Sequence, residues 1–248
     1  MEMPNTLFRY RPDNDYTLES LRESYLWFSK LEDYNDPFDG QLSFRLSYSY
    51  DEIFRHCYDL NDKQGFPLSL DKISETAWQW ANGVVDITSV MTQTVAEITD
   101  KVRTCCFTAK NNNILMWSHY ANSHKGICLE FDLSKDIDTF YHLIPMRYVE
   151  DYTEHSHFGN TMEQIRCFVR NKFLDWQYED EYRVFNYPET RNKIPYNPSA
   201  LKTVIFGCKS TPEFIKKVKE ALVDKPEVTF KRCELDTKSY KLIIKNIN

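Results

Sequence analysis

The sequence predicts an α+β fold: a mostly antiparallel mixed sheet with flanking helices and one helical insertion. Two-residue alternation of apolar and polar side chains recurs along the chain, as in "TLFRYR", "GICLEFDL" and "EDEYRVF". One long stretch, from Tyr50 to Val102, instead spaces its apolar residues by three and four. No repeat, low-complexity tract or long linker divides the 248 residues. A single α+β domain over 1–248 is therefore expected, with the insertion at about 50–102.

In chain order, "TLFRYR" reads as a strand with Leu7, Arg9 and Arg11 on one face and Phe8 and Tyr10 on the other. Pro12 stops it, and "DNDYTLESLRES" starts a short helix with Asp or Thr as the candidate cap. "YLWFS" is a second strand, Tyr25 to Ser29, followed by the turn-rich "KLEDYNDPFDG". The insertion is expected to pack through Trp78, Trp80, Val84, Val95 and Ile98. "RTCCFTA" returns to a strand, and "NNNILMWSHYANSHKG" reads as a short helix closed by Gly126. "GICLEFDL" and "YHLIPMRYV" are strands, "TMEQIRCFVRNKFLDW" a helix and "EDEYRVF" a strand. "LKTVIFG", the helix "TPEFIKKVKEALVD" with proline in its first turn, "EVTFKRCELD" and "YKLIIKNI" close the chain.

Composition narrows the function classes. Aromatics reach 15% while glycine is limited to 6 residues, which disfavours a glycine-rich nucleotide loop and favours a core built from rings. A formal net charge of -6 gives no general attraction to phosphate backbones, so a nucleic-acid ligand needs a local basic groove. No run approaches the ~18 apolar residues of a membrane span, and the N-terminus lacks the basic start and apolar run of a signal peptide. A cytoplasmic protein is expected. Seven cysteines without a C-x-x-C spacing fit reduced thiols better than a zinc site.

Four clusters place polar residues where a core is expected. Arg9 and Arg11 share a strand face. Asn35, Asp36 and Asp39 surround Pro37; they are ordinary turn formers, or alternatively ligands of a hard cation. Trp117 and Tyr120 on a short helix offer ring faces to a flat ligand, although apolar helical residues usually pack; His119 and His124 lack the one-turn spacing of a helical metal pair. No metal site is assigned. The fourth cluster is "WQYEDEYRVF": read as a strand, it puts Glu179, Glu181 and Arg183 on one face. The bland reading is a surface ion-pair strip. Framing by Trp176, Tyr178 and Phe185 instead implies partly desolvated carboxylates.

The blocks "LFRYRP", "LWFSKLEDYNDPFDG", "CCFTAKNNNILMWSHYANSHKGICLEFD", "WQYEDEYRVF" and "VIFG" resemble, in this order, the bacterial domain of unknown function 2971 family. The resemblance covers most of the chain apart from the insertion. More distantly, the order of polar residues resembles ADP-ribosyltransferases of the arginine–serine–glutamate type. That resemblance implies an ADP-ribosyltransferase-like fold and NAD as substrate. Arg9, with Tyr10 beside it, would hold the NAD phosphates, Ser29 would support the nicotinamide ribose, and Trp117 and Tyr120 would wall the nicotinamide. Glu181 would stabilise the oxocarbenium-like transition state with Glu179 as its helper. Asn35, Asp36, Asp39, His119 and Arg183 are the candidate substrate-binding residues. Two features depart from the pattern: the serine lacks its usual threonine-flanked triplet, and the insertion is large. The resulting expectation is a toxin or phage-defence effector acting on a small-molecule nucleotide and transferring ADP-ribose to a protein or nucleic-acid acceptor. The alternatives are a nucleotide- or nucleic-acid-binding defence module without catalysis, and a metal-dependent nuclease using Asp36, Asp39, Glu179 and Glu181.

Overall fold

Alternation along the first strand holds: Leu7 is buried on one side of the sheet and Tyr10 on the other. The computed structural model describes residues 4–41, 43–45, 47–63, 67–152, 154–156, 158 and 161–247. Strand β1 (Thr6–Arg11) leads into α1 (Asp15–Glu23) and β2 (Tyr25–Trp27). Asn14, rather than Asp or Thr, caps α1, its side chain accepting from the Thr17 amide. A short β3 (Ser43–Phe44) precedes α2 (Tyr50–Lys63), α3 (Leu70–Ala81) and α4 (Ile87–Asp100). These helices occupy the expected insertion, of which residues 64–66 lie outside the described residues. Ile98 is buried as expected, whereas Trp78 and Val84 are exposed, and the other buried contacts come from Ile53, Ile73 and Ala77.

The chain continues through β4 (Arg103–Thr108), α5 (Ile114–Tyr120), β5 (Ile127–Asp132), β6 (Leu143–Pro145), β7 (Arg147–Val149) and β8 (Glu154–His155). Next come α6 (Thr161–Arg170), β9 (Asn171–Phe173), a 3-10 turn over Leu174–Glu179, and β10 (Glu181–Asn186). It closes with β11 (Lys193–Pro195), β12 (Leu201–Phe206), α7 (Pro212–Ala221), β13 (Thr229–Leu235) and β14 (Leu242–Asn246). Among the described residues no helix is long and apolar enough to cross a membrane.

The main sheet has eight strands in the order β14-β13-β12-β5-β1-β4-β10-β6. Every neighbouring pair is antiparallel except β12 and β13, which α7 joins by the crossover a parallel pair requires. On one face, α1 and α7 cover Leu7, Phe107, Phe131 and Val204 with Leu21 and Val218. On the other, α5 packs Met116 and Trp117 against Tyr10, Cys128 and Ile205. A third cluster joins Ile165 and Val169 of α6 to Phe185 and Ile98.

Two departures from the predicted elements shape the site. The segment expected to be one strand over 141–149 breaks at Met146 into β6, paired with β10, and β7, paired with β9. The strand expected from Glu179 begins instead at Glu181. Asp180 sits at φ 47, the left-handed region that Asp tolerates better than most residues. Glu179 therefore ends the 3-10 turn and is not a strand neighbour of Glu181.

The sheet also splits. β1 pairs with β5 along its whole length, from Thr6↔Asp132 to Arg11↔Ile127, and β4 pairs with β10 from Glu181↔Thr108 to Asn186↔Arg103. Between β1 and β4 the register holds only Phe8↔Thr108 among the described residues. Beyond that point the strands diverge. Past β2, Ser29 makes an isolated bridge to Thr104, with both backbone hydrogen bonds at 2.8 Å.

Candidate functional site

The divergence of β1 from β4 opens a cleft of ≈ 280 Å³. β1 supplies Phe8, Arg9, Tyr10 and Arg11, and β4 supplies Thr104 to Thr108. Trp27, Ser29, Tyr34, Asn35 and Asp39 enter from β2 and the segment after it. Met116 and Tyr120 come from α5, and Lys172, Glu179, Glu181 and Arg183 from the β9–β10 region.

On the β10 side the acids are built into a buried ionic chain. Lys172 Nζ donates to Glu179 Oε2 at 2.5 Å and to Glu181 Oε2 at 2.8 Å. Arg183 Nε donates to Glu181 Oε1 at 2.7 Å, while its Nη1 and Nη2 reach Asp39 at 2.6 and 2.5 Å in a bidentate pair. Tyr120 donates its hydroxyl to Glu179 Oε1 at 2.6 Å. Thr108 Oγ1 donates to the Glu179 carbonyl, and the Glu181 amide donates to Tyr148 Oη at 2.8 Å, so both acids are fixed by their backbones as well. Arg183 lies 5.0 Å from the Tyr34 ring centroid and Lys172 4.9 Å from that of Trp176. Trp176 thus shields the lysine between the acids, whereas Phe185 belongs to the core.

Burial and charge separate the two carboxyls. Burial pushes Glu181 up, but Arg183 and Lys172 outweigh it and hold the carboxyl down at about 2. Glu179 goes the other way: burial and the neighbouring Glu181 raise it against the opposing pull of Lys172. The Lys172 ammonium is disfavoured by burial, yet the two glutamates more than compensate and raise it. Burial, then Glu179, raises the Tyr120 phenol, so it stays a hydrogen-bond donor.

The β1 side has different chemistry. Arg9 Nη1 donates to Cys105 Sγ at 2.6 Å and Nη2 to the Trp27 carbonyl at 3.0 Å, both neutral acceptors. Arg11 Nε is buried with no hydrogen-bond partner among the described residues. Burial, then the neighbouring Arg9, brings Arg11 down to about 10.

Of the residues chosen from sequence, Arg9, Tyr10, Ser29, Asn35, Asp39, Tyr120, Glu179, Glu181 and Arg183 share this cleft. Three do not. Trp117 is wholly buried, its ring 5.1 Å edge-on from Tyr10 and its Nε1 donating to the Asn111 carbonyl at 2.9 Å, so it is core. His119 is exposed on α5, outside the cleft lining. Asp36 is buried in the turn, its Oδ1 accepting from the Phe38 amide at 2.9 Å, and lies outside the lining. Arg183 and Asp39 spend their polar atoms on each other and on Glu181, which makes them a scaffold for the acid rather than contacts for a substrate. The Tyr10 hydroxyl is likewise committed, to the Lys110 carbonyl at 3.0 Å.

The reading from sequence missed Lys172. The apolar spacing of α6 runs into β9 without a break, so the helical pattern continues past Arg170 where the helix itself ends. Among the described residues no group of three His, Cys, Asp or Glu side chains is arranged to hold a metal ion. Of the acids named for a nuclease, Asp39, Glu179 and Glu181 are bound to Lys172 or Arg183.

The acid side of this cleft, apart from Asp39, lies within one segment. Residues 116–184 match the family model "Protein of unknown function (DUF2971)". The DUF2971 match is narrower than the resemblance read along the whole chain. It takes in Tyr120, Lys172, Glu179, Glu181 and Arg183, and leaves out Arg9, Ser29 and Asp39. No curated protein and no solved structure matches the chain.

Proposed function

We propose that this cleft cleaves the nicotinamide–ribose bond of NAD and transfers the ADP-ribosyl group to an acceptor nucleophile. One observation carries the reading: Arg9, Ser29, Tyr120, Glu179 and Glu181, separated by up to 172 positions in sequence (181 − 9), line a single cleft.

The chemistry follows from the charges. As the C–N bond breaks, its electron pair leaves with nicotinamide and positive charge builds on the anomeric carbon. A fixed, ionised carboxylate in a water-poor cleft stabilises that charge. Glu181 has the required properties, being 4% exposed, locked by Arg183 and Lys172, and ionised down to about pH 2. Glu179 is the better base, because its raised carboxyl lies closer to neutrality and can take the acceptor's proton as that nucleophile attacks. Tyr120 and Lys172 hold Glu179 in place. Arg9, with no carboxylate partner among the described residues, supplies a guanidinium for the phosphates. The cleft volume suits the nicotinamide–ribose end, with the rest of the dinucleotide crossing its open mouth.

Calorimetry with NAD, combined with chromatographic detection of released nicotinamide, tests the reading. Binding and release by the wild type, with release lost in Glu181→Gln at unchanged circular dichroism, is the expected result. A wild type that binds NAD but never releases nicotinamide points to a nucleotide-binding module. A wild type that neither binds nor consumes NAD refutes the reading.

A further inference from the structure

The hairpin that joins β13 to β14 walls a second cavity, of ≈ 1080 Å³, which shares no lining residue with the cleft. The strand ladder ends at Leu235↔Leu242. Beyond it, the Asp236 amide donates to the Lys241 carbonyl at 3.0 Å and closes the loop. Asp236 Oδ1 accepts from the Lys238 amide at 2.9 Å and Oδ2 from the Ser239 hydroxyl at 2.7 Å, the side-chain-to-backbone bonding that orders a turn. The ordered loop carries Lys238, Tyr240 and Lys241 into the lining of the groove, and Tyr240 is fully exposed.

Charge in this groove runs against that of the chain. The protein carries a formal -6, yet the lining holds four cations, Lys209, Arg232, Lys238 and Lys241, against the two carboxylates Glu234 and Asp236. Glu234 is taken up by Lys245 at 2.6 Å, and both oxygens of Asp236 are held within the loop. None of the four cations enters an ion pair among the described residues. Arg232 Nη2 donates to the Cys208 and Ser210 carbonyls at 3.2 and 3.3 Å, which hold the guanidinium in place but leave its charge unmatched.

Lysines on an edge strand can serve only to keep that edge from pairing with another chain. On β14, the outermost strand, Lys245 has that position. Lys238 and Lys241 lie past the last ladder pair, where no strand edge needs protecting, and they flank an exposed ring.

We infer that this groove binds single-stranded nucleic acid, with the four cations following the phosphates and Tyr240 stacking on a base. A chain of net negative charge has no general attraction to phosphate backbones, and the hairpin supplies the local basic groove that such a ligand requires. The cavity exceeds the range of about 300–1,000 Å³ usual for a single small ligand, which suits a polymer that crosses it. An acidic peptide would use the lysines and leave the ring idle. A duplex would keep its base faces stacked away from Tyr240, whereas a single strand offers both phosphates and faces. The inference is independent of the NAD reading, none of whose residues it uses.

Fluorescence anisotropy with labelled oligothymidylate about a dozen nucleotides long, titrated across a range of potassium chloride concentrations, is the test. The wild type is expected to bind with log K falling against log[salt] at a slope of about -2 to -3, the value for three or four phosphates neutralised on a single strand. Lys238→Gln combined with Lys241→Gln makes that slope shallower by about 1.4. Tyr240→Ala lowers single-strand affinity at least about fivefold, leaves the slope in place and leaves affinity for a duplex of the same length unchanged. Neither variant alters a cleft residue, so NAD binding is expected to keep its wild-type value in both. A wild type that does not bind the oligonucleotide at low salt overturns the inference. So does a double lysine variant with an unchanged slope, a Tyr240→Ala variant with wild-type single-strand affinity, or an oligoglutamate that competes as well as the oligonucleotide.

Discussion

Tyr120 donates its hydroxyl to Glu179 Oε1 at 2.6 Å, joining two residues 59 positions apart in sequence. Among the described residues the phenol is the one hydrogen-bond partner of that carboxyl without a charge of its own, and it favours the ionised form. Tyr120→Phe is therefore expected to raise the Glu179 carboxyl further. The acidic limb of the pH–rate profile for nicotinamide release moves to higher pH, and kcat below that limb falls. An unmoved limb in Tyr120→Phe removes Glu179 from the role of base.

Arg183 is buried between Asp39 and Glu181, with its charge matched on both sides. Truncating one partner of such a group leaves a bare charge in the interior, typically costing about 3–5 kcal/mol. Arg183→Met is expected to lower the unfolding free energy measured by urea titration by an amount of that order. Asp39→Asn is expected to cost less, because Glu181 still faces the guanidinium. A reversed order of the two variants contradicts the scaffold role assigned to Arg183.

Stability should fall in acid through Glu181. Its folded carboxyl, held down at about 2, lies below the ordinary 4.5, so its stabilisation is present above pH 4.5 and lost as pH drops towards 2. Glu179, raised on folding, acts with the opposite sign: its cost is absent at low pH and appears as pH rises through its folded value. Urea unfolding measured from pH 2 to pH 7 is expected to show the acid loss in the wild type and a smaller one in Glu181→Gln.

Gly126 gives β1 room. A Cβ there would stand 2.1 Å from the Arg11 carbonyl and 3.0 Å from Pro12 Cα, both backbone atoms that cannot swing away. Gly126→Ala is expected to cost about 1–3 kcal/mol, the usual range for overpacking. Unchanged stability in urea contradicts the close approach.

Trp117 offers a contrast to these site residues. As a wholly buried ring against Tyr10, it is expected to cost about 3–5 kcal/mol on truncation to alanine. The milder Trp117→Phe should lower the thermal midpoint and leave NAD affinity unchanged in calorimetry. A specific loss of NAD affinity in Trp117→Phe would restore the ring to the site.

The sequence made some of this visible and hid the rest for physical reasons. Alternation in β1, β5 and β10 was readable because apolar and polar side chains take turns along each strand, and Arg9 and Glu181 stood out as charges within that pattern; that both faces of β10 are buried was not readable. Glu179 was found for partly the wrong reason: it meets Glu181 through Lys172 and a left-handed Asp180, not through a shared strand face. Lys172 was hidden because helical spacing carries no mark where α6 gives way to β9. Trp117 misled because an aromatic on a short helix looks the same in sequence whether it faces a ligand or Tyr10. The split between β1 and β4 was invisible, since strand pairing joins residues 100 positions apart, as Phe8 and Thr108 are (108 − 8).

The most direct measurement follows NAD by proton NMR in the presence of the purified wild type and of Glu181→Gln. The nicotinamide ring protons report the bond that is proposed to break. The geometry of Arg9, Ser29 and Glu181 around one cleft predicts free nicotinamide accumulating with the wild type and not with Glu181→Gln, whose fold is checked in parallel. NAD resonances that neither broaden nor decay with the wild type would contradict it.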